Sequence, residues 1–182
     1  MSYKQLFIFV EGIDDERFVN QVIKPVLQAH FHYIKIIKYA VMTKTEVAKL
    51  VNTCKQKEGL AYLFFCDMDA RGNKDLCISK RKEKEQNKYG NCLEMDRIVV
   101  VKEEIESWYL AGIAPVFLEK CKIKPFTDTE NISKEMFEKM IPKNFISPND
   151  FMVEMLKSYS IEQATKINLS FNYFKNKHLS FS

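Results

Sequence analysis

The chain has 182 residues, 46% of them hydrophobic and 29% charged, with a formal net charge of +4. That length suits one domain with a full hydrophobic core, and the mild positive charge permits contact with a polyanion without announcing it. No apolar stretch approaches the roughly 20 residues a bilayer span needs, and the N-terminus lacks a cleavable signal pattern.

The expectation is therefore a cytoplasmic protein with no membrane partner. Leu6 to Val10 is an unbroken apolar run of the kind that fills a strand covered on both faces. A helix is expected from Asp14 to about Ala29, with Phe18, Val19, Val22, Ile23, Val26 and Leu27 along one side and Pro25 kinking or shortening it. Tyr33 to Val41 reads as a second strand, less buried because it carries Lys35 and Lys38. Thr43 and Glu46 form a capping box that starts a helix with Val47, Leu50, Val51 and Cys54 inward, and Gly59 stops it. Ala61 to Cys66 is a third buried strand, Lys74 to Lys88 a polar helix, and Arg97 to Val101 a fourth strand.

Alternating strands and helices predict an α/β fold, a mainly parallel four-stranded sheet of Rossmann-like type flanked by helices. After Glu103 the pattern turns helical to the end. Ile105, Trp108 and Tyr109 share a core face, with base stacking by Trp108 as a lesser expectation. Ser147-Pro148 starts one helix. Ser160 and Gln163 cap another, whose buried seam is Ala164, Ile167, Phe171 and Phe174. The expected organisation is an α/β core over residues 1–112 and a helical C-terminal extension over 113–182, packed on the same domain. Five cysteines form no CxxC pair, and Cys54 and Cys66 fall within apolar runs, so reduced thiols are expected rather than a zinc site or disulfides.

In an open parallel sheet, functional groups gather beyond the carboxyl ends of the strands. Three predicted strands carry acids there: Glu11 after the first, Asp67 and Asp69 after the third, and Glu103, Glu104 and Glu106 after the fourth. Asp67 and Asp69 are two apart, so in extended chain both point the same way. Two carboxylates about 4 Å apart repel by about 4 kcal/mol at an effective dielectric near 20. A shared proton, a basic side chain or a divalent cation relieves that. Oxygen donors with no histidine at a strand tip favour Mg2+ or Mn2+ over zinc. Asp14, Glu16, Glu103 and Glu104 read more simply as first-turn acids that complement a helix dipole. Asp15, four residues after Glu11, reads equally as a first-turn acid or as an acid over the same pocket.

"FVEGIDDERF", "LFFCDMDA" and "VKEEIESWYLAG" together resemble the Toprim (topoisomerase–primase) domain, in particular the OLD-type nucleases and their small stand-alone relatives, several of them in phage-defence loci. The resemblance spans roughly residues 4 to 112. It implies that Glu11, Asp67 and Asp69 hold one or two Mg2+ or Mn2+ ions for phosphodiester hydrolysis. It implies that Asp15, completing a Glu-x-x-x-Asp motif, and Glu106 supply a second set, and that Glu11 acts alternatively as general base. Two departures stand out. Arg71 occupies the position of a further acid, and there is no Walker motif, so any nucleotide-driven control would come from a separate ATPase or defence-system subunit.

A nucleic-acid partner requires positive groups. Arg71 and Lys74 are the better candidates for holding a phosphate. Lys80, Lys84 and Lys88 form a stripe at four-residue spacing, with Arg81 and Lys82 beside them, but interleaved Glu83 and Glu85 make a solvated helix the plainer reading. Three alternatives stay open: a ribosomal-RNA maturation ribonuclease of the same class, a non-catalytic Toprim-fold partner of an ATPase or nuclease, and, last, a phospho-receiver domain.

Overall fold

The computed structural model describes residues 3–68 and 77–180. Four strands, β1 (Gln5–Val10), β2 (Tyr33–Lys38), β3 (Leu60–Asp67) and β4 (Ile98–Val101), form an all-parallel sheet in the order β2-β1-β3-β4, flanked by helices. β1 is central, with Phe9 opposite Ile37 on one side and Phe64 on the other. Val10 and Phe65 are sealed from solvent, whereas the edge strand β2 leaves Lys35 exposed.

Right-handed crossovers place the helical run between β1 and β2 on one face and α3 (Lys44–Gln56) on the other. The first run is α1 (Ile13–Phe18), a wider π-type turn at Val19–Ile23, and α2 (Lys24–Leu27). Pro25 lacks an N–H and its ring crowds the preceding turn, and the chain answers with that widened turn rather than a break. On the opposite face Phe9, Val47, Val51, Phe64 and Tyr89 share one apolar cluster. The Thr43–Glu46 capping box forms as expected, with Thr43 Oγ1 accepting the Glu46 N–H and Glu46 accepting the Thr43 N–H. Gly59, at φ 80°, takes the left-handed conformation that ends α3 and leads into β3.

Two predicted strands are shorter than expected. β2 stops at Lys38, and Tyr39–Val41 forms a tight turn that folds the Tyr39 ring inward onto Phe64, stacked at 4.5 Å. Met95–Arg97 likewise forms a turn, so β4 begins at Ile98. The polar helix α4 runs Ile78–Lys88, and its expected start at Lys74 lies outside the described residues.

Two compact units divide the chain, Met1–Val100 and Val101–Ser182. In the second, α5 (Glu106–Ala111) packs against α7 (Lys134–Met140), α8 (Pro148–Leu156) and α9 (Ile161–Ile167); α6 (Pro115–Lys120) precedes them. Every residue of α5 is buried, so Trp108 is core and offers no stacking surface. Gly112 allows this packing, because a Cβ there would meet the Tyr159 ring at 2.3 Å. The helix expected from Ser160 is in fact two, α9 and α10 (Leu169–Phe174). The break falls at Asn168, whose side chain caps α10 by accepting the Phe171 N–H at 2.8 Å. Ala164, Phe171 and Phe174 are buried as expected, while Ile167 at the break is half-buried. No described helix is long and apolar enough to cross a membrane.

Candidate functional site

The carboxyl ends of β1 and β3 lie side by side. Glu11 directly follows β1 and is exposed, and the Tyr39 hydroxyl donates to its Oε2 at 3.2 Å. Burial, and then the Glu11 charge, push the Tyr39 phenol far above its ordinary range, so it keeps its proton and remains a donor.

Asp15, in the first turn of α1, is 7% exposed and its Oδ2 accepts the Gly12 N–H at 3.0 Å. Burial pushes its pKa up to about 6, with the charges of Glu11 and Asp14 adding and the backbone N–H bonds opposing. Its neighbours differ. Asp14 is held by Arg17 at 2.6 Å and Glu16 by Lys38 at 2.6 Å. Among the described residues, Glu11 and Asp15 have only neutral hydrogen-bond donors.

Asp67 is the last residue of β3, and its backbone carbonyl accepts from Arg81 Nε at 2.6 Å. The pleat turns its side chain away from Cys66 and Met68, which both belong to the Phe64 cluster. Glu11, one residue past its strand, stands at the rim where Tyr39 hydrogen-bonds it from one side and its charge reaches Asp15 on the other. Burial pushes the Cys66 thiol up to about 12, which keeps it an inert apolar neighbour.

Asp69, Arg71 and Lys74 lie outside the described residues. On α4, Lys80 and Lys84 are exposed, and so is Lys88, whose Nζ sits over the Tyr39 and Tyr89 rings at 5.8 and 5.2 Å. Arg81 and Lys82 do not belong to a solvated stripe: both are buried, Lys82 donates to the Met95 carbonyl at 2.9 Å, and Arg81 pairs with Glu85, itself 1% exposed. Glu106 lies in the second unit as the first residue of α5, buried, with Lys134 Nζ at 3.7 Å. A groove of about 540 Å³ in that unit, beside Phe117 and Phe145, contains none of the predicted site residues.

The chain matches no protein-family model, no curated protein and no solved structure.

Two contributors escaped the sequence reading. The sequence places Tyr39 inside a strand, and the turn that carries it inward rests on its stacking with Phe64, a non-local contact. The Arg81–Glu85 pair was legible as an opposite-charge contact at four-residue spacing. Its burial was not, because hydropathy reads such a face as solvated. For a metal, the donor chemistry fits a hard divalent ion. The described donors are carboxylate oxygens, and Asp15 is a buried acid crowded by two others, whose ionised form such an ion would stabilise. Among the described residues no three acids, histidines or cysteines gather as a complete centre.

Proposed function

We propose that this chain is a Mg2+- or Mn2+-dependent nuclease of the Toprim type, hydrolysing phosphodiesters of DNA or RNA. The observation that carries the reading is the placement of Glu11 and Asp67 at the carboxyl ends of adjacent parallel strands, with the Glu11 charge acting on buried Asp15 and neither Glu11 nor Asp15 neutralised by a base among the described residues. Glu11 and Asp15, whose hydrogen-bond donors among the described residues are neutral, favour a cation beside them. Glu11, Asp15 and Asp67 would hold the ion, with Asp69 of the same Asp-x-Asp motif as a further ligand. When bound, the ion supplies Lewis acidity at the phosphate. Arg71 and Lys74 would neutralise the flanking phosphates, and exposed Lys80 and Lys84 would track the strand. Such an enzyme would act with a separate ATPase or defence-system subunit.

A second reading, a non-catalytic Toprim-fold partner, is favoured by the incomplete donor set among the described residues. Incubating the purified chain with single-stranded DNA, duplex DNA and RNA, with Mg2+ or Mn2+ and with chelator, separates the two. Metal-dependent cleavage lost in Asp67→Asn supports the nuclease. Metal binding without cleavage of any substrate favours the partner reading.

A further inference from the structure

We infer that Tyr39 is a positioning residue that fixes the Glu11 carboxylate for cation binding. The inference rests on the proposed divalent-ion site and adds a residue that the acidic motifs do not contain.

Glu11 stands just past the end of β1, where ladder hydrogen bonds no longer dictate its direction, and its side chain is exposed. A flexible carboxylate in that place loses rotamer freedom each time it grips an ion. Among the described residues its hydrogen bond comes from Tyr39, whose own position is over-determined. The ring is 5% exposed, stacks on Phe64 at 4.5 Å, meets Tyr89 edge-on at 6.4 Å, and lies beneath the Lys88 ammonium. The turn that ends β2 at Lys38 places it there. A rigid hydroxyl thus addresses one oxygen, Oε2, and leaves Oε1 for another partner. A protonated phenol suits this work: it donates to the carboxylate without adding a positive charge that would compete with a cation.

The same region steadies the neighbouring tip. Arg81, locked by Glu85, holds the carbonyl of Asp67, the residue from which the second acidic segment departs. Tyr39 is the cleaner subject for experiment, because removing its hydroxyl leaves the ring and its packing in place.

The experiment is a double-mutant cycle on the full chain, reading Mn2+ affinity by titration calorimetry at pH 7 and thermal midpoints in chelator. Tyr39→Phe is expected to weaken Mn2+ binding by about five- to tenfold, the scale of one ordinary hydrogen bond. Its midpoint should stay close to that of wild type. In the Glu11→Gln background the same substitution should change Mn2+ affinity by less than about twofold, since Tyr39 acts through Glu11. Wild-type Mn2+ affinity in Tyr39→Phe overturns the inference and leaves the metal site standing. An equal loss in both backgrounds, or a large drop in midpoint, overturns it in favour of a merely structural tyrosine. A wild-type chain that binds no Mn2+ overturns both the inference and the proposed site.

Discussion

Acids in the two units are compensated differently. In the second unit Glu106 is buried against Lys134, and Glu130 has Lys102 Nζ at 3.5 Å and the Ser170 N–H at 2.6 Å. A carboxylate with its own base and its own amide is a finished structural element. Beyond the tip of β1 the pattern is opposite. Glu11 and Asp15 sit within electrostatic reach of one another, and their hydrogen-bond donors, a phenol and an amide, are neutral. Asp14 and Glu16, on the same short helix, each hold a base. Unfinished compensation, rather than the number of acids, is what the proposed cation site in the first unit rests on.

The contrast is broken most severely by removing the acids themselves. Glu11→Gln and Asp67→Asn are expected to lower metal-dependent cleavage by on the order of a hundredfold or more, since even groups behind metal ligands cost about ten- to a hundredfold. Both variants should keep the wild-type circular dichroism spectrum. Glu106→Gln should cost cleavage far less than either, because Glu106 already has a lysine. Equal losses would erase the distinction between the two units.

Arg81→Met probes compensation inside the first unit. It leaves Glu85 buried without its guanidinium, and breaking such a pair costs about 3–5 kcal/mol, measurable by urea denaturation. Arg81→Met combined with Glu85→Met should recover much of that loss.

Asp15 supplies the pH dependence. Its folded pKa, about 6, lies above its ordinary value of 3.8, so the folded chain binds that proton more tightly than the unfolded one. Its contribution to stability is therefore fully present below about pH 4 and is lost as pH rises through about 6. The difference corresponds to at most about 3 kcal/mol at neutral pH. Asp15→Asn keeps an oxygen for the Gly12 N–H and should stabilise the metal-free protein at pH 7. That gain should shrink to nothing near pH 4. In the second unit Ser170→Ala removes the acceptor of the Trp108 indole N–H, at 2.8 Å, and a donor to Asn168, for a smaller loss of about 1–3 kcal/mol.

Much of the first unit could be read from the chain. Leu6 to Val10 and Ala61 to Cys66 are apolar enough to be strands buried on both faces, and Thr43 with Glu46 fixes a helix start without tertiary help. Elements decided by non-local contacts could not be read. The inward turn at Tyr39 depends on Phe64, and the break at Asn168 depends on Thr129, whose hydroxyl accepts its amide at 3.0 Å. The charged core face of α4 looks solvated until Asp67 and Met95 offer their carbonyls to it. At the site, the acids were visible by type and order. Which of them would be neutralised was visible only in part: Arg17 lies three residues from Asp14 on one helix, but Lys38 reaches Glu16 from β2, which only folding shows.

The most direct measurement is Mn2+-induced broadening of the side-chain carboxyl signals in the 13C spectrum of the full chain. The account predicts that substoichiometric Mn2+ broadens Glu11, Asp15 and Asp67 first and together, while Glu130 stays sharp. Broadening that begins at Glu130 or spreads evenly over surface carboxylates would contradict it, as would a spectrum that Mn2+ leaves unchanged.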